Sequence, residues 1–156
     1  MRKIKVILSV LALLVSFSSV FAKGENLLPY RTVVEFEGKS KSELYTSIKK
    51  SLAHIMGNSN YAIVHQDAEE GIYIVKCNKD VKWNFLVAPT DFDMTINIKD
   101  GRIRVSFDNV NWTYSGYKNH IENEKMLRDF KKAVDPVVET LKNEINNQSK
   151  GDDDDW

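Results

Sequence analysis

TINIKDGRIRVSF, running from Thr95 to Phe107, sets Lys99-Asp100-Gly101-Arg102 between two alternating runs. The charged knot is either a working site or a bend, and side-chain register decides between them. Asp-Gly strongly favours a two-residue hairpin turn. With the turn at Asp100-Gly101, Ile98 faces Ile103, Ile96 faces Val105 and Met94 faces Phe107. The other side pairs Asn97 with Arg104 and Thr95 with Ser106. One face is wholly apolar, and a one-residue slip would destroy that agreement. The stretch therefore reads as a hairpin. Its charges are expected at a solvated tip, and no catalytic role is assigned to Asp100.

Upstream, Arg31 to Glu37 has the β-branched, alternating character of a first strand, stopped by Gly38. Ser40-Lys-Ser-Glu43 matches a capping box, in which the serine takes a helix-end N–H and the glutamate reaches back. Leu44, Ile48, Leu52 and Ile55 follow at helical spacing, and Gly57-Asn58 is the expected stop. Tyr61–Gln66 and Ile72–Asn78 read as strands joined by a loop in which Gly71 takes a left-handed position. Trp83–Val87, Phe92–Lys99 and Arg102–Val110 are the remaining strands. From Ile121 the pattern is helical, with Leu127, Phe130, Val134, Val137, Leu141 and Ile145 on one stripe. Asp135-Pro136 inside it predicts a kink or a restart. The expected fold is α+β: a curved antiparallel sheet with helices packed on one face, in the order β-α-β-β-β-β-β-α.

The chain starts Met-Arg-Lys-Ile-Lys, runs apolar from Val6 to Phe21 and ends that run with Val20-Phe21-Ala22. That is the pattern of a secretory signal peptide over residues 1–22. A single domain over 23–148 and an acidic tail over 149–156 complete the organisation. Loss of Arg2, Lys3 and Lys5 with the signal turns an even balance of 22 basic and 22 acidic residues mildly acidic. An acidic exported domain is a poor binder of phosphate backbones, so no nucleic acid is expected. Nor is a membrane span expected after cleavage. Cys77 is the one cysteine, so an internal disulfide is impossible.

Val34 to Tyr45, the Glu70-Gly71 loop and Ile98 to Val105 together resemble a bacterial family of unknown function with a TATA-binding-protein-like fold. The resemblance covers Val34 to Val110 and, more loosely, the C-terminal helix. It implies that fold and an exported location in the periplasm or envelope of a Gram-negative bacterium. It implies no activity and carries over no catalytic residue.

No nucleophile elbow, phosphate loop or Cys–His signature is present in the sequence. His54, His65 and His120 lie on separate elements without ligand spacing, so no metal or cofactor is expected. Asp91-Phe-Asp93 sets two carboxylates on one side of a strand and reads as a solvated edge. Trp112, Tyr114 and Tyr117 fall in an asparagine-rich link, where aromatic faces and amides suit a sugar or a peptide, although rings that plug one end of the sheet are the more ordinary expectation. Trp156, beyond Asp152–Asp155, suits docking in a partner pocket or back onto this domain.

Tyr61–Val64 and Ile72–Val75 are apolar at every position. One set, Ile72 with Ile74 or Tyr73 with Val75, is expected under the helices. The other is expected to meet a protein partner, a second copy of the chain or the aromatic link. Tyr73, Val75, Trp112, Tyr114, Tyr117 and Trp156 make up the expected binding surface. The function expected is a non-enzymatic exported binding or assembly module of the cell envelope. The alternative is a glycan or peptide carrier using Trp112–Tyr117.

Overall fold

The computed structural model describes residues 27–55 and 61–151. The signal-peptide expectation, the Gly57-Asn58 stop and the Asp152–Trp156 tail lie outside them. The elements are β1 (Tyr30–Glu35), α1 (Lys41–Ile55), β2 (Tyr61–Asp67), β3 (Ile72–Trp83), β4 (Leu86–Lys99), β5 (Arg102–Tyr114), β6 (Tyr117–His120) and α2 (Glu124–Gly151). The six strands form one antiparallel sheet in the order β1-β5-β4-β3-β2, with β6 also paired to β5. The fold is α+β with an open antiparallel sheet, and both helices lie on one face.

The β4–β5 hairpin has the register that Asp-Gly dictates. Ile98 pairs with Ile103, Ile96 with Val105 and Met94 with Phe107, while Asn97 pairs with Arg104 and Thr95 with Ser106. The apolar set is buried with Phe92 under Phe130 of α2. Phe92 and Phe107 meet the Phe130 ring edge-on at 5.3 and 6.0 Å, a geometry that aligns ring edges with ring faces. From α1, Leu44, Ile48 and Leu52 enter the same core, and Tyr45 stacks on Tyr73 at 4.6 Å. The capping box is formed: Ser40 N–H donates to Glu43 Oε2 at 2.7 Å, and Glu43 N–H donates to Ser40 Oγ at 3.3 Å.

Four expectations change. Trp83–Val87 is not a separate strand, because Trp83 pairs with Leu86 across a two-residue turn that joins the long strands β3 and β4. Asn84 provides the positive φ of 56° that glycine more often supplies in such a turn. The aromatic link is a hairpin, with Tyr114 opposite Tyr117 and a sixth strand after it. Helix α2 starts at Glu124 and passes Pro136 without a break. Pro136 cannot donate to the Lys132 carbonyl, and both residues border a hollow open to solvent. Asp135 accordingly caps nothing; its carboxylate accepts the Tyr30 hydroxyl at 2.8 Å. Finally, Val138 rather than Val137 completes the buried stripe of α2.

Candidate binding surfaces at the ends and open face of the sheet

The three stretches that carry the family resemblance meet at one end of the sheet. Phe36 N–H donates to Gly101 O at 2.7 Å, and Gly101 N–H donates to Lys39 O at 2.8 Å. The Asp100 carboxylate accepts the Lys41 N–H at 2.7 Å, at the first turn of α1. The β2–β3 loop joins them: Ile98 N–H donates to Gly71 O at 2.8 Å, and Lys41 Nζ donates to Glu69 O. Gly71 has a φ of +71°, and a Cβ there would stand 2.8 Å from Ile98 O. This end is a structural clamp. Asp100 is more than a solvated tip residue, because its carboxylate satisfies a helix-end donor that lacks an intrahelical partner.

The opposite end is different. The β3–β4 and β5–β6 turns both lie at that end, since Thr90, four residues after the start of β4, pairs with Trp112, two residues before the end of β5. Phe85 is 94% exposed, Tyr117 75%, Val87 60% and Tyr114 53%. Strand alternation sets Tyr114 and its partner Tyr117 on the helix face with Trp112, and Val87 on the open face with Asp91. Trp112 is half-buried, with its ring stacked on Trp83 at 5.6 Å. Trp83 Nε1 donates to Thr90 Oγ1 at 3.1 Å, whereas Trp112 Nε1 is buried without a partner among the described residues. The sequence pointed to Trp112, Tyr114 and Tyr117 but not to Phe85 and Val87. Their signal was Asn84, a residue that tolerates a left-handed turn.

The sheet's uncovered face corrects two further expectations. Tyr73 and Val75 are fully buried at 0% exposure against the helices, so they are core and not binding surface. Ile72 and Ile74 take the open face, each half-buried. That face is not greasy. Continuing along β3 it carries Lys76, Asn78 and Lys82, and along β4 Asp91, Asp93, Asn97 and Lys99. The apolar runs at Ile72–Val75 and Tyr61–Val64 are short exceptions on a polar surface. Tyr61 and Ile63 pack against the core, and Val64 occupies a register shift in the edge strand.

An open hollow of about 540 Å³ lies on this face among Lys76, Asn78, Asp91, Asp93, Asn109 and Asn111. Asp91 accepts Asn78 Nδ2 at 2.6 Å. Asp93 accepts Asn109 Nδ2 at 2.7 Å and lies 3.8 Å from Lys76 Nζ. The two carboxylates are thus mid-sheet and amide-bonded, not at an edge. Among the described residues no group of histidine, cysteine, aspartate and glutamate could hold a metal ion. His54 sits on α1 against Glu144 at 2.6 Å, while His65 and His120 belong to β2 and β6. Burial pushes the Cys77 thiol up to about 12, with the Asp93 charge adding to it, so it is not a thiolate at neutral pH.

Residues 30–113 match the family described as a domain of unknown function (DUF4468) with TBP-like fold. The crystal structure of a TBP-like protein from Parabacteroides distasonis is similar at a TM-score of 0.63 and 13% identity, covering 76% of this chain and 92% of that one. A DUF4468 family protein from Bacteroides ovatus is similar at a TM-score of 0.61 and 14% identity, covering 74% and 84% of the two chains. At such identities these likenesses show the fold alone. No curated protein matches the chain in sequence. The family match spans more than half of the 156 residues, and the chain belongs to the DUF4468 family of TBP-like fold.

Proposed function

We propose that this protein is an exported, non-enzymatic binding module of the bacterial cell envelope, and that its ligand docks on the aromatic end of the sheet. The observation that carries this is the exposure of Phe85, Val87, Tyr114 and Tyr117 on two adjacent hairpins. Exposed apolar groups gathered at one end of a fold mark interaction sites, because leaving them in water forfeits roughly 25 cal/mol per Å². The other end of the sheet is closed by main-chain hydrogen bonds and offers no such surface. Export is supported by the basic and apolar pattern of residues 1–22. A binding role without chemistry is supported by the protonated, buried Cys77 and the separated histidines. Among the described residues no helix is long and apolar enough to cross a membrane.

A second reading, a carrier of small glycans or peptides, is favoured by Trp112. Its buried indole N–H, without a partner among the described residues, lies two residues from the exposed Tyr114, so a ligand that parts this end of the sheet meets a free donor next to a stacking surface. Replacing Phe85 and Tyr117 together by serine should leave the melting temperature within a few degrees and reduce capture of partners from envelope extracts. Equilibrium dialysis against glycans and peptides, with and without Trp112→Phe, separates the second reading from the first. Unchanged capture and unchanged small-ligand binding in these variants would remove the aromatic end from consideration.

A further inference from the structure

The uncovered face of the sheet is electrically divided along its strands. Strand pairing places its residues in rows. Lys99 stands beside Arg102, then Asn97 beside Arg104, then Thr95 beside Ser106, then Asp93 beside Asp108, then Asp91 beside Asn111. Arg31 joins the Thr95–Ser106 row from β1. On β4 and β5, cations therefore occupy one side of the Thr95–Ser106 row and carboxylates the other, while Lys76 on β3 stands in the acidic Asp93 row and Glu35 on β1 in the basic Arg102 row. Same-face residues are two apart along a strand, so each row is roughly 7 Å from the next.

The cations lack carboxylate partners. None of the ion pairs His54–Glu144, Lys76–Asp93 and Lys132–Asp129 involves Lys99, Arg102 or Arg104. Glu35 faces Arg102 across β1 and β5 without closing to an ion pair. Arg104 makes one hydrogen bond, to Asn97 Oδ1 at 3.2 Å. Beside these cations is a hollow of about 280 Å³, bordered by Val33, which is 54% exposed. On the acidic side, Asp93 has Lys76 at 3.8 Å, and Asp108 bonds only the neighbouring Asn109 N–H at 2.8 Å. On β4 and β5 the dividing row bears the small side chains Thr95 and Ser106, which let a second surface come close; the row continues to Ile74 on β3 and to the exposed Arg31 on β1, so the pairing below is carried by β4 and β5.

We propose that this face binds a second copy of the chain, face to face, about a two-fold axis running across the strands along the Thr95–Ser106 row. Such an axis lies in the interface and reverses strand direction, so it sets each strand over its own counterpart. Lys99 of one copy then stands over Asp91 of the other, and Arg104 over Asp108. The relation holds on β4 because Lys99 and Asp91 are equally far from Thr95. It holds on β5 because Arg104 and Asp108 are equally far from Ser106. A two-fold interface must be self-complementary in this sense, each residue contacting its partner's counterpart reciprocally. Aligned sheet-on-sheet packing at about 10 Å leaves room for lysine and arginine to reach across. A long polyanion running along the strands fits less well, since Asp91, Asp93 and Asp108 would repel half of it. The surface is separate from the aromatic end, so its test does not depend on the proposed ligand site.

The test is a charge swap read by sedimentation velocity and native mass spectrometry of the purified chain. Wild-type protein should dimerise in a concentration-dependent way, more weakly as salt rises from about 50 to 500 mM. Arg104→Asp should set aspartate over Asp108 twice in each dimer and weaken association at least about tenfold. Asp108→Arg should do the same by setting arginine over Arg104. An equimolar mixture of the two variants restores one native pair and creates one reversed pair, so heterodimers should form where neither variant associates alone. Within one chain these residues are four apart on a strand and do not touch, so the recovery can come only from the intermolecular pairing. Both side chains are exposed, and unchanged melting temperatures will confirm that the variants are folded. A wild-type monomer at all concentrations, or a mixture that stays monomeric, overturns the proposal. So does a face that these variants show to bind a different protein while the chain remains monomeric.

Discussion

The Asp100 carboxylate accepts the main-chain N–H of Lys41 at 2.7 Å, across 59 residues of sequence. A hairpin turn thereby caps a helix from a distant part of the chain. Ser40 and Glu43 cap the same helix locally, so two acceptor systems share its first turn. Asp100→Ala should destabilise the fold by about 0.5–2 kcal/mol, the usual cost of losing a cap acceptor. Asp100→Asn retains an oxygen acceptor and suits the turn, so it should recover most of that loss. Urea denaturation of the two variants checks the difference. Equal losses would show that charge and not the hydrogen bond carries the effect.

Gly71 and Gly38 offer a matched pair. Both have positive φ, +71° and +77°, so alanine is strained at either. A Cβ at Gly38 meets nothing within 4 Å, whereas one at Gly71 comes 2.8 Å from Ile98 O and into the Lys41 side chain. Gly38→Ala should cost about 1 kcal/mol from backbone strain alone. Gly71→Ala should cost clearly more, because the backbone contact between the β2–β3 loop and β4 must open. Thermal melts of both variants read this directly.

Ile74 and Val75 are neighbours with opposite fates. Val75→Lys would put an unpaired charge at a fully buried position, costing several kcal/mol of a total stability of about 5–15. It should fail to fold at room temperature. Ile74→Lys lands on the open face beside Thr95 and should stay folded, with a melting temperature within a few degrees of wild type. Circular dichroism distinguishes the outcomes, and a folded Val75→Lys protein would contradict the assignment of faces.

Pro136 is exposed in the interior of α2, where it withholds a hydrogen bond from Lys132 O. Pro136→Ala restores that bond. The gain from an interior proline is about 3 kcal/mol, reduced by roughly 1 kcal/mol because alanine frees the unfolded chain. The variant should therefore melt several degrees higher.

Alkaline stability follows from acids held neutral by burial: Tyr30 and Cys77, together with Tyr61 and Tyr73, whose hydroxyls are raised as well. Desolvation, with Asp135 adding to it, raises Tyr30 from 10.0 to about 12, and burial raises Cys77 from 9.0 to about 12. In each the folded value is above the unfolded one. The stability they contribute is thus fully present below the unfolded value and lost as pH rises through the folded one. Stability should fall between pH 9 and 12, and Tyr30→Phe should flatten the upper part of that fall. Denaturant melts across this range check the sign.

Much of the architecture was written locally. The β4–β5 register followed from an Asp-Gly turn and a two-residue side-chain period, which leave no second arrangement with one apolar face. The α1 start followed from a capping box closed within one turn. The side of β3 that is buried was also within reach: Tyr73, Val75 and Cys77 alternate with Lys76, Asn78 and Lys82, and the charged set must face water. Reading only Ile72–Val75 hid this, because four residues without a charge carry no direction.

Other features depended on contacts between distant segments. The Asn84-Phe85 turn lacked the glycine that announces most tight hairpins, and Tyr117–His120 is too short to declare itself a strand without β5 beside it. The continuity of α2 through Pro136 was decided by Phe130, Val134, Val138, Leu141 and Ile145, whose burial on the sheet outweighs one missing hydrogen bond. The partner of Asp100, the gathering of aromatic side chains at one end, and the division of charge across the open face are likewise tertiary facts. The sequence alone determined turns, caps and periods, because these are closed by residues a few positions apart. Only the folded chain could decide which surfaces are left uncovered, because that depends on how separate strands and helices come to lie together.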